Sequence, residues 1–590
     1  MFALCNIMDR FRRKLLMVFL ITLIVLTINP LTVYSAEVYY PGQSLDRVSG
    51  ASQMNPSYSL SERFHDLFDF SSQRTYAERS GRISGNFVEE ISWQNIGGNK
   101  SKSFLEEGVD YLTELNLNIQ EKLGGNYQFE GQSFLRKTDN RRIETKQELR
   151  LKQLNLRVYN PQNLFEFGDF YGDFSPFVLG SSLEGFNIVM SPEGGNKYAA
   201  VIARSTRADE AAGRFQRNVL GIKTDYFLFR DSELFSNFRL GAQAVTVQDD
   251  SSSTERSANT KDLKNTVMSI DGEISWVKNF SLTYELGYSS YLEDADSETV
   301  KDTAYAKAFR LQPALNLGSS SFRYLYYYVQ PKFHTDLGSA SPDKIQHQLN
   351  WDYSLNERAV FSFSENYYWD HLSGSSLTKR TTYDEKYFNF NLKPFLQRKN
   401  FSLRPYINYQ TKDSDDRENS AEAKTKTIGF SFNDSLDERT NYSFNYEYRA
   451  FRDEASKTSS DYFHRLGFNL GKEQNLFYRR LYYSLQPQMD VRSTKSDEDK
   501  DLNLTLGLNG QYDLSDNMVL RLGHNLQNTN SAKADQGYIN NRSFLELDLS
   551  VSKEKNTHLL FRGERNLYNH EDSTQDYNET RVILKFLSNF

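Results

Sequence analysis

The chain has 590 residues, of which only 38% are hydrophobic although 14% are aromatic, and its mean hydropathy is −0.66. This balance argues against several soluble domains with aliphatic cores, and it favours strands with one face in lipid and the other in water. Acidic and basic residues are spread along the chain, with a net charge of −7 and no long basic run, so nucleic acid is excluded as a partner.

Residues 1–35 have the order of a secretory signal. Basic residues within positions 10–14 precede an apolar stretch at 15–28, and small residues follow at Ser35 and Ala36. A membrane-spanning helix needs roughly 20 apolar residues, which favours a cleaved signal over a retained anchor. We predict export by the Sec pathway and cleavage after Ser35, which also removes Cys5, the only cysteine. The mature chain then has no disulfide, thiolate metal site or cysteine nucleophile.

Residues 36–80 lack the pattern of a strand. Ser59 and Glu62 have capping-box spacing, and Leu60, Phe64 and Phe68 can form one face of a short helix. We predict a periplasmic N-terminal segment, either a partly ordered leader or a small plug that enters the lumen of a barrel.

From residue 81 to the end, apolar and polar residues alternate with the period of a β-strand. Leu545, Leu547 and Leu549 enclose Glu546 and Asp548, for example. A buried sheet does not tolerate those carboxylates, but in a transmembrane barrel they face a watery lumen while the leucines face lipid. The phase slips near residues 152–153, which predicts a bulge.

The connections alternate between short turns, such as 355–358 and 436–439, and longer polar stretches, such as 248–262 and 411–422. Transmembrane barrels have short periplasmic turns and longer extracellular loops. Counting hairpins predicts about 26 strands, within a range of 22 to 26, and an even number places both ends in the periplasm. The predicted fold is all-β, a single large antiparallel up-and-down transmembrane β-barrel at residues 81–590.

The last strand carries a terminal pattern. Its apolar face holds Val582, Leu584, Phe586 and Phe590. This resembles the signal of outer-membrane barrels, in which a C-terminal aromatic residue follows alternating apolar residues and is read by the barrel assembly machinery. Ser588 departs from that pattern, where a larger apolar residue is usual. The resemblance implies the outer membrane of a Gram-negative bacterium, with its lipid, lipopolysaccharide and the assembly machinery as partners.

Two Gly-Asp-Phe units occur close together. They comprise Gly168, Asp169, Phe170, Gly172, Asp173 and Phe174. Glycine in a barrel strand allows a kink or close packing, and the aspartates can bind backbone N–H groups of a lumen segment. We predict a hairpin that packs against such a segment, with a plain tight hairpin as the alternative. The stretch is similar to a strand pair of fimbrial ushers, with Glu184 where they have Arg, but the ushers' flanking domains and cysteines are missing.

The sequence contains no nucleophile elbow, P-loop, dinucleotide fingerprint or zinc-protease motif. Three histidines beside serines, His464, His524 and His558, are the candidates for a membrane-embedded hydrolase, which is the least favoured function. Acidic clusters at 293–296, 413–416 and 497–499 lack EF-hand spacing and are interpreted as solvated loops. We therefore predict no catalytic residue, cofactor or metal site.

A barrel of about 26 strands has a lumen too wide to stay open, and large barrels are accordingly plugged. We predict a transport or export conduit for a polar or large cargo, narrowed by loops, by the N-terminal segment or by a partner protein. The architecture is similar to that of barrels that sheath multihaem cytochromes. Two other large-barrel families do not fit this sequence. TonB-dependent receptors have a much longer plug, and the lipopolysaccharide-inserting barrel has a periplasmic domain and disulfides. The alternative is a surface structural or adhesion barrel with a blocked lumen.

Overall fold

The computed structural model describes residues 81–590 with short gaps. The gaps are at 125, 145–146, 193–194, 210–212, 231, 233–234, 255–261, 277–278, 294–302, 373–379, 396–397, 399, 415–421, 455–459, 495–499, 532–535, 553 and 555. The predicted signal peptide at 1–35 and N-terminal segment at 36–80 lie outside the described residues. Most of the three acidic clusters lies outside them as well.

Twenty-six strands form one sheet. In chain order they are β1 Arg82–Gly98, β2 Gly108–Lys122, β3 Gln128–Thr138, β4 Arg150–Tyr159, β5 Asn163–Tyr171, β6 Ser182–Met190, β7 Lys197–Thr206, β8 Gln216–Arg230, β9 Phe235–Asp250, β10 Leu263–Trp276, β11 Phe280–Glu293, β12 Ala304–Leu317, β13 Ser320–Val329, β14 Lys344–Asn356, β15 Ala359–Asp370, β16 Thr381–Leu392, β17 Ser402–Ser414, β18 Ala423–Asp437, β19 Thr440–Asp453, β20 Ser460–Leu476, β21 Arg479–Thr494, β22 Lys500–Ser515, β23 Met518–Asn530, β24 Tyr538–Ser552, β25 Thr557–His570 and β26 Tyr577–Asn589. Short 3-10 helices occupy Lys100–Lys102 and Ser573–Gln575.

Consecutive strands pair in antiparallel register, and β1 pairs with β26 to close the sheet. The closing register runs from Asn86 opposite Asn589 to Gly98 opposite Tyr577. Beyond it, Gly85 and Phe590 exchange backbone hydrogen bonds of 2.9 and 3.1 Å. Closure removes the exposed edges of an open sheet. The predicted all-β antiparallel barrel of about 26 strands is thereby confirmed.

The two faces of the barrel wall differ as the alternation predicts. In β24, Leu545 is exposed on one face, which we call the outer face. Glu546 and Asp548 lie on the opposite face, which we call the lumen wall. Both carboxylates accept hydrogen bonds from Arg521, at 2.8 and 3.0 Å. Apolar side chains therefore cover the outside of the wall, and charged pairs line the inside.

No helix among the described residues is long and apolar enough to cross a membrane. The first residue of β1 and the last residue of β26 lie at the same end of the barrel. We call the opposite end the distal end. The buried apolar cluster has fifteen residues, of which ten lie on strands between β5 and β13. The other five lie in two long connections at the distal end, one between β5 and β6 and one between β13 and β14. The buried core of the barrel therefore lies on one side of the lumen.

Candidate functional site in the barrel lumen

The connection between β5 and β6, residues 172–181, folds against the lumen wall and is called loop A. Phe177, Val178 and Leu179 are each only 1% exposed. The N–H groups of Val178 and Leu179 both donate to the carbonyl of Ser175 at 3.0 Å, which makes a compact turn. Connections normally run over the surface with exposed side chains. Three consecutive buried apolar residues show that loop A is packed inside the barrel.

The connection between β13 and β14, residues 330–343, packs on loop A and is called loop B. The Phe333 ring lies 5.9 Å from the Phe177 ring, measured between centroids. Gly180 N–H donates to the Leu337 carbonyl at 2.7 Å, and Ser339 N–H donates to the Pro176 carbonyl at 2.8 Å. Backbone hydrogen bonds and an aromatic contact thus join the two loops into one packed body.

The apolar part of the lumen wall that contacts loops A and B consists of small residues, and we call it the seat of the loops. A Cβ atom at Gly287 would lie 3.0 Å from the Phe177 ring, and one at Gly221 would lie 3.1 Å from the Phe174 ring. Valine and alanine side chains complete this seat, namely Val201, Val219, Val245, Val247, Val267, Ala306 and Ala308. Larger side chains at these positions would hold the loops away from the wall.

Polar side chains of the wall bind the irregular backbone of the loops. Ser175 N–H donates to Gln243 Oε1 at 2.8 Å, and Lys223 Nζ donates to the Asp173 carbonyl at 2.9 Å. Asn265 Nδ2 donates to the His334 carbonyl of loop B at 3.0 Å. Buried backbone groups need such partners. The wall therefore fixes both loops by specific hydrogen bonds as well as by apolar contact.

A charged cavity of about 380 Å³ lies between loop A and the lumen wall. Arg239 bridges two almost buried carboxylates, Asp225 at 2.6 Å and Asp271 at 2.8 Å. Four acidic and four basic side chains line the cavity, namely Asp173, Asp225, Asp271, Glu285, Lys197, Lys223, Arg239 and Arg310. Because the two signs are balanced, the cavity has polar character without an overall preference for cations or anions.

Asp173 of loop A is tied to the wall by charge. Its carboxylate pairs with Lys197 and lies 3.7 Å from Lys223 Nζ. Burial raises the pKa of Asp173, but hydrogen bonds and charges from the two lysines outweigh burial and hold that pKa below its usual 3.8. The carboxylate therefore stays ionised at neutral pH and keeps loop A attached through ion pairs.

The Gly-Asp-Phe residues divide between β5 and loop A. Gly168, Asp169 and Phe170 lie in β5, and Phe170 is 3% exposed within the buried cluster. Gly172, Asp173 and Phe174 begin loop A, where Phe174 packs on the same cluster. Glu184 in β6 pairs with Arg204 and Arg207 at 2.6 and 2.8 Å.

The terminal residues lie at the closing seam. Val582 and Leu584 are exposed on the outer face, and the Phe586 ring lies 6.2 Å from the Phe87 ring of β1. On the lumen wall, Arg581 and Lys585 both pair with Glu90 at 3.0 and 3.3 Å. The apolar and the ionic contacts of the last strand thus both cross the seam.

The three histidines lie apart from any described nucleophile–base–carboxylate constellation. His524 Nδ1 lies 2.9 Å from Ser543 Oγ, whereas the carboxylate of Asp548 is 2.7 Å from His558. His464 contacts the Tyr446 hydroxyl at 3.1 Å. No group of three potential metal ligands occurs in the part of the chain that the structure describes.

Loop B and the charged wall around Arg239 were not identified in the sequence. One signal was available: residues 199–203 and 242–247 are apolar or small at nearly every position, although other strands alternate. A strand that is apolar on both faces needs cover on its lumen side. Loop B also contains Phe333 and Leu337, apolar residues suited to provide that cover.

No protein-family model and no curated protein matches the sequence. The solved structures that resemble the chain include the three that follow. The P pilus usher (PapC) translocation pore has a TM-score of 0.33 and 10% identity, covering 86% of this chain and 99% of that one. The siderophore receptor PirA from Pseudomonas aeruginosa has a TM-score of 0.41 and 10% identity, covering 86% and 80%. A doubly substituted variant of OccD1 (OprD) has a TM-score of 0.30 and 14% identity, covering 57% and 92%.

Likenesses this weak carry no argument, and the fold is assigned from the strand topology of the chain itself. It consists of antiparallel neighbours around the whole sheet, a closed seam between the first and last strands, and an apolar outer face over a polar wall. The chain is a large β-barrel of the outer-membrane type, closed by 26 antiparallel strands.

Proposed function

We propose that the protein is an outer-membrane conduit for a polar or large cargo, with one side of its lumen narrowed by loops A and B. The observation that carries this proposal is the packing of both loops on the lumen wall above a charged cavity. A conduit needs a polar path and a defined cross-section. The joined loops and the charged wall meet both requirements.

The dimensions favour a conduit over a blocked barrel. Twenty-six strands spaced about 4.8 Å apart and tilted about 40° give a backbone diameter of roughly 50 Å. Loop A has ten residues and loop B has fourteen, so a chain that goes out and returns reaches at most about 17 Å in loop A and about 24 Å in loop B. Loops of this length narrow one side of such a lumen but do not close it. In this proposal the cargo passes through the remaining width, which residues 36–80 or a partner protein narrow further without closing it.

The proposal also covers the cellular location of the protein and its orientation in the membrane. The signal at 1–35 delivers the chain through the Sec pathway to the Gram-negative outer membrane, and the assembly machinery reads the terminal pattern ending at Phe590. The distal end, with loops A and B, then faces the cell exterior. The protein has no enzymatic role, and the alternative remains a surface structural or adhesion barrel.

Single-channel recording of the full mature chain in planar bilayers tests the proposal. A conduit gives a steady current, and replacing residues 173–180 by a short Gly-Ser linker raises that current because one side of the lumen is freed. The matched control replaces residues 571–576, the connection between β25 and β26. Absence of steady current from both the parent chain and the loop A variant would contradict the conduit and favour the blocked adhesion barrel.

A further inference from the structure

The barrel wall parts between β4 and β5 near the distal end. The two strands pair regularly from Tyr159 opposite Leu164 to Asn155 opposite Gly168, and their described register ends there. β5 continues to pair with β6 as far as Tyr171 opposite Ser182. Residues 150–154 of β4 therefore diverge from the strand that follows it.

Gly168 and Asp169 cause this divergence. Gly168 has a φ of +101°, and a Cβ atom there would collide with the Leu154 carbonyl. Only glycine adopts this conformation readily. The Asp169 carboxylate accepts the Leu154 N–H at 2.7 Å, and Asn155 Nδ2 donates to the Asp169 carbonyl at 2.6 Å. Side chains thus replace the backbone ladder at the point where the wall splits.

The split forms a notch of about 810 Å³ at the distal rim. Basic side chains come from both sides of it, with Arg150 and Lys152 on β4 and Arg204 and Arg207 at the end of β7. The acidic residues that line it are Glu148, Asp169 and Glu184. The notch therefore combines a widened wall with cations that converge from separate strands.

Two carboxylates hold these cations in place. Glu184 binds the Nε and Nη2 groups of both Arg204 and Arg207, at distances between 2.6 and 3.1 Å. The described contacts leave Nη1 of each guanidinium for a further acceptor. On the other side, the Glu144 side chain, 5% exposed, holds Arg150 and Lys152 at 3.2 and 2.7 Å. Because the cations are already oriented, little side-chain entropy is lost when an anion binds.

The length of the strands sets the depth of the notch. β5 and β6 have nine residues each, and β4 and β7 have ten. About 9 to 11 tilted residues cross the hydrocarbon layer, so the ends of these strands lie at its edge. Arg204 lies two residues beyond Ile202, which is 66% exposed on the outer face. The cations on this side are therefore at the level of lipid headgroups, where diverging backbone groups can be hydrated.

We propose that this notch binds the phosphate-bearing headgroup of an outer-leaflet lipid. The recognised group is a phosphate monoester, which accepts hydrogen bonds from the Nη1 groups of Arg204 and Arg207 and interacts with the charges of Arg150 and Lys152. Hydrogen bonds from a guanidinium to a phosphate are strengthened by the opposite charges, and the weak hydration of the guanidinium suits a site at the membrane surface. Acyl chains of the same lipid then lie along the apolar outer face next to Ile202.

Binding of fluorescent lipid A to the full chain in detergent tests this site. The parent chain is titrated with phosphorylated lipid A, with lipid A whose phosphates have been removed, and with inorganic phosphate as a competitor. The double variant Arg204→Gln/Arg207→Gln removes the outer cations. The control, Arg214→Gln, removes an exposed arginine that pairs with Asp209 outside the notch. Heat-modifiable electrophoretic mobility verifies that each variant is a folded barrel.

We expect phosphorylated lipid A to bind saturably, and the double variant to weaken this binding by about tenfold or more, the loss expected when charge-assisted hydrogen bonds are removed. The control should bind like the parent chain. Competition by millimolar inorganic phosphate, with no gain from acyl chains, would support the phosphate site but assign it to the free anion. Equal binding of phosphorylated and dephosphorylated lipid A, or full binding by a folded double variant, would overturn the proposal.

Discussion

Replacing Phe177 by alanine should release loops A and B from the lumen wall. The side chain is 1% exposed, and its ring lies 5.9 Å from Phe333 and 5.7 Å from Tyr327. Truncating a fully buried phenylalanine costs about 3–5 kcal/mol. The loops can open without unfolding the barrel. The substitution therefore reduces the free-energy difference between packed and released loops, and not only the stability of the whole barrel.

A loss of about 3 kcal/mol increases the released population by roughly two orders of magnitude, since 1.4 kcal/mol corresponds to a factor of ten. Hydrogen exchange measured by mass spectrometry should show faster exchange in residues 174–181 and 332–339. Exchange in strands on the opposite side, such as β20 and β21, should not change. Single-channel recordings should show added current fluctuations as the loops leave and return.

Phe477→Ala is the matched control, because Phe477 is 82% exposed in the turn between β20 and β21. It makes the same chemical change without affecting the loops. If Phe177→Ala exchanged as slowly as the parent chain in both loop segments, the loops would not depend on this contact for their position. The packing of Phe177 would then be refuted as the cause of the proposed constriction.

Three further changes test other contacts. Gly287→Val should displace loop A, with a cost of about 1–3 kcal/mol from overpacking against the Phe177 ring, and should therefore speed exchange in residues 174–181. Glu144 lies in the β3–β4 connection, and its hydrogen bond with Lys152 and the neighbouring Arg150 lower its pKa from 4.5. The stabilisation by these contacts is complete above pH 4.5 and is lost as pH falls through the folded pKa, so Glu144→Gln should flatten the acid decline of the melting temperature. Deleting Phe590 removes its two hydrogen bonds with Gly85 and should reduce the folded, heat-modifiable fraction in outer membranes.

Each change has its own comparison. Gly563→Val places the same side chain where a Cβ atom meets nothing within 4 Å, and it should leave loop exchange unchanged. Glu357→Gln in the exposed β14–β15 turn should keep the pH profile of the parent chain, whereas an unchanged profile for Glu144→Gln would argue against the ion-pair cluster. Phe590→Tyr keeps an aromatic end and should assemble normally, and normal assembly of the deletion variant would contradict a role for Phe590.

The strand pattern was predictable because it is local. In a sheet with water on one side and lipid on the other, side chains alternate residue by residue, so Leu545 and Glu546 show their faces without knowledge of any partner strand. The number of strands followed from counting turns. The Gly-Asp-Phe residues were also visible as unusual, since two glycines in adjacent units are rare within regular strands.

The packing partners of those residues were not predictable. Phe177 and Phe333 are separated by 155 residues that include eight strands, yet they meet because the barrel curves their loops into the same part of the lumen. The local sequence of a loop does not predict which strands of the wall the loop will contact. The same holds for Arg239, whose two carboxylates come from β8 and β10.

The sequence by itself determined the class of fold, the approximate strand number and the apolar pattern of the last strand, because side-chain alternation is a property of near neighbours in the chain. The tertiary structure alone decided that loops A and B join, that a balanced charged cavity lies beside them, and that the wall opens between β4 and β5. These features depend on strand register and curvature, which bring distant residues within a few ångströms of each other. Gly168 shows the difference between the two. The sequence shows that this glycine is unusual, but the reason that a glycine is needed, the closeness of the Leu154 carbonyl on the neighbouring strand, appears only in the tertiary structure.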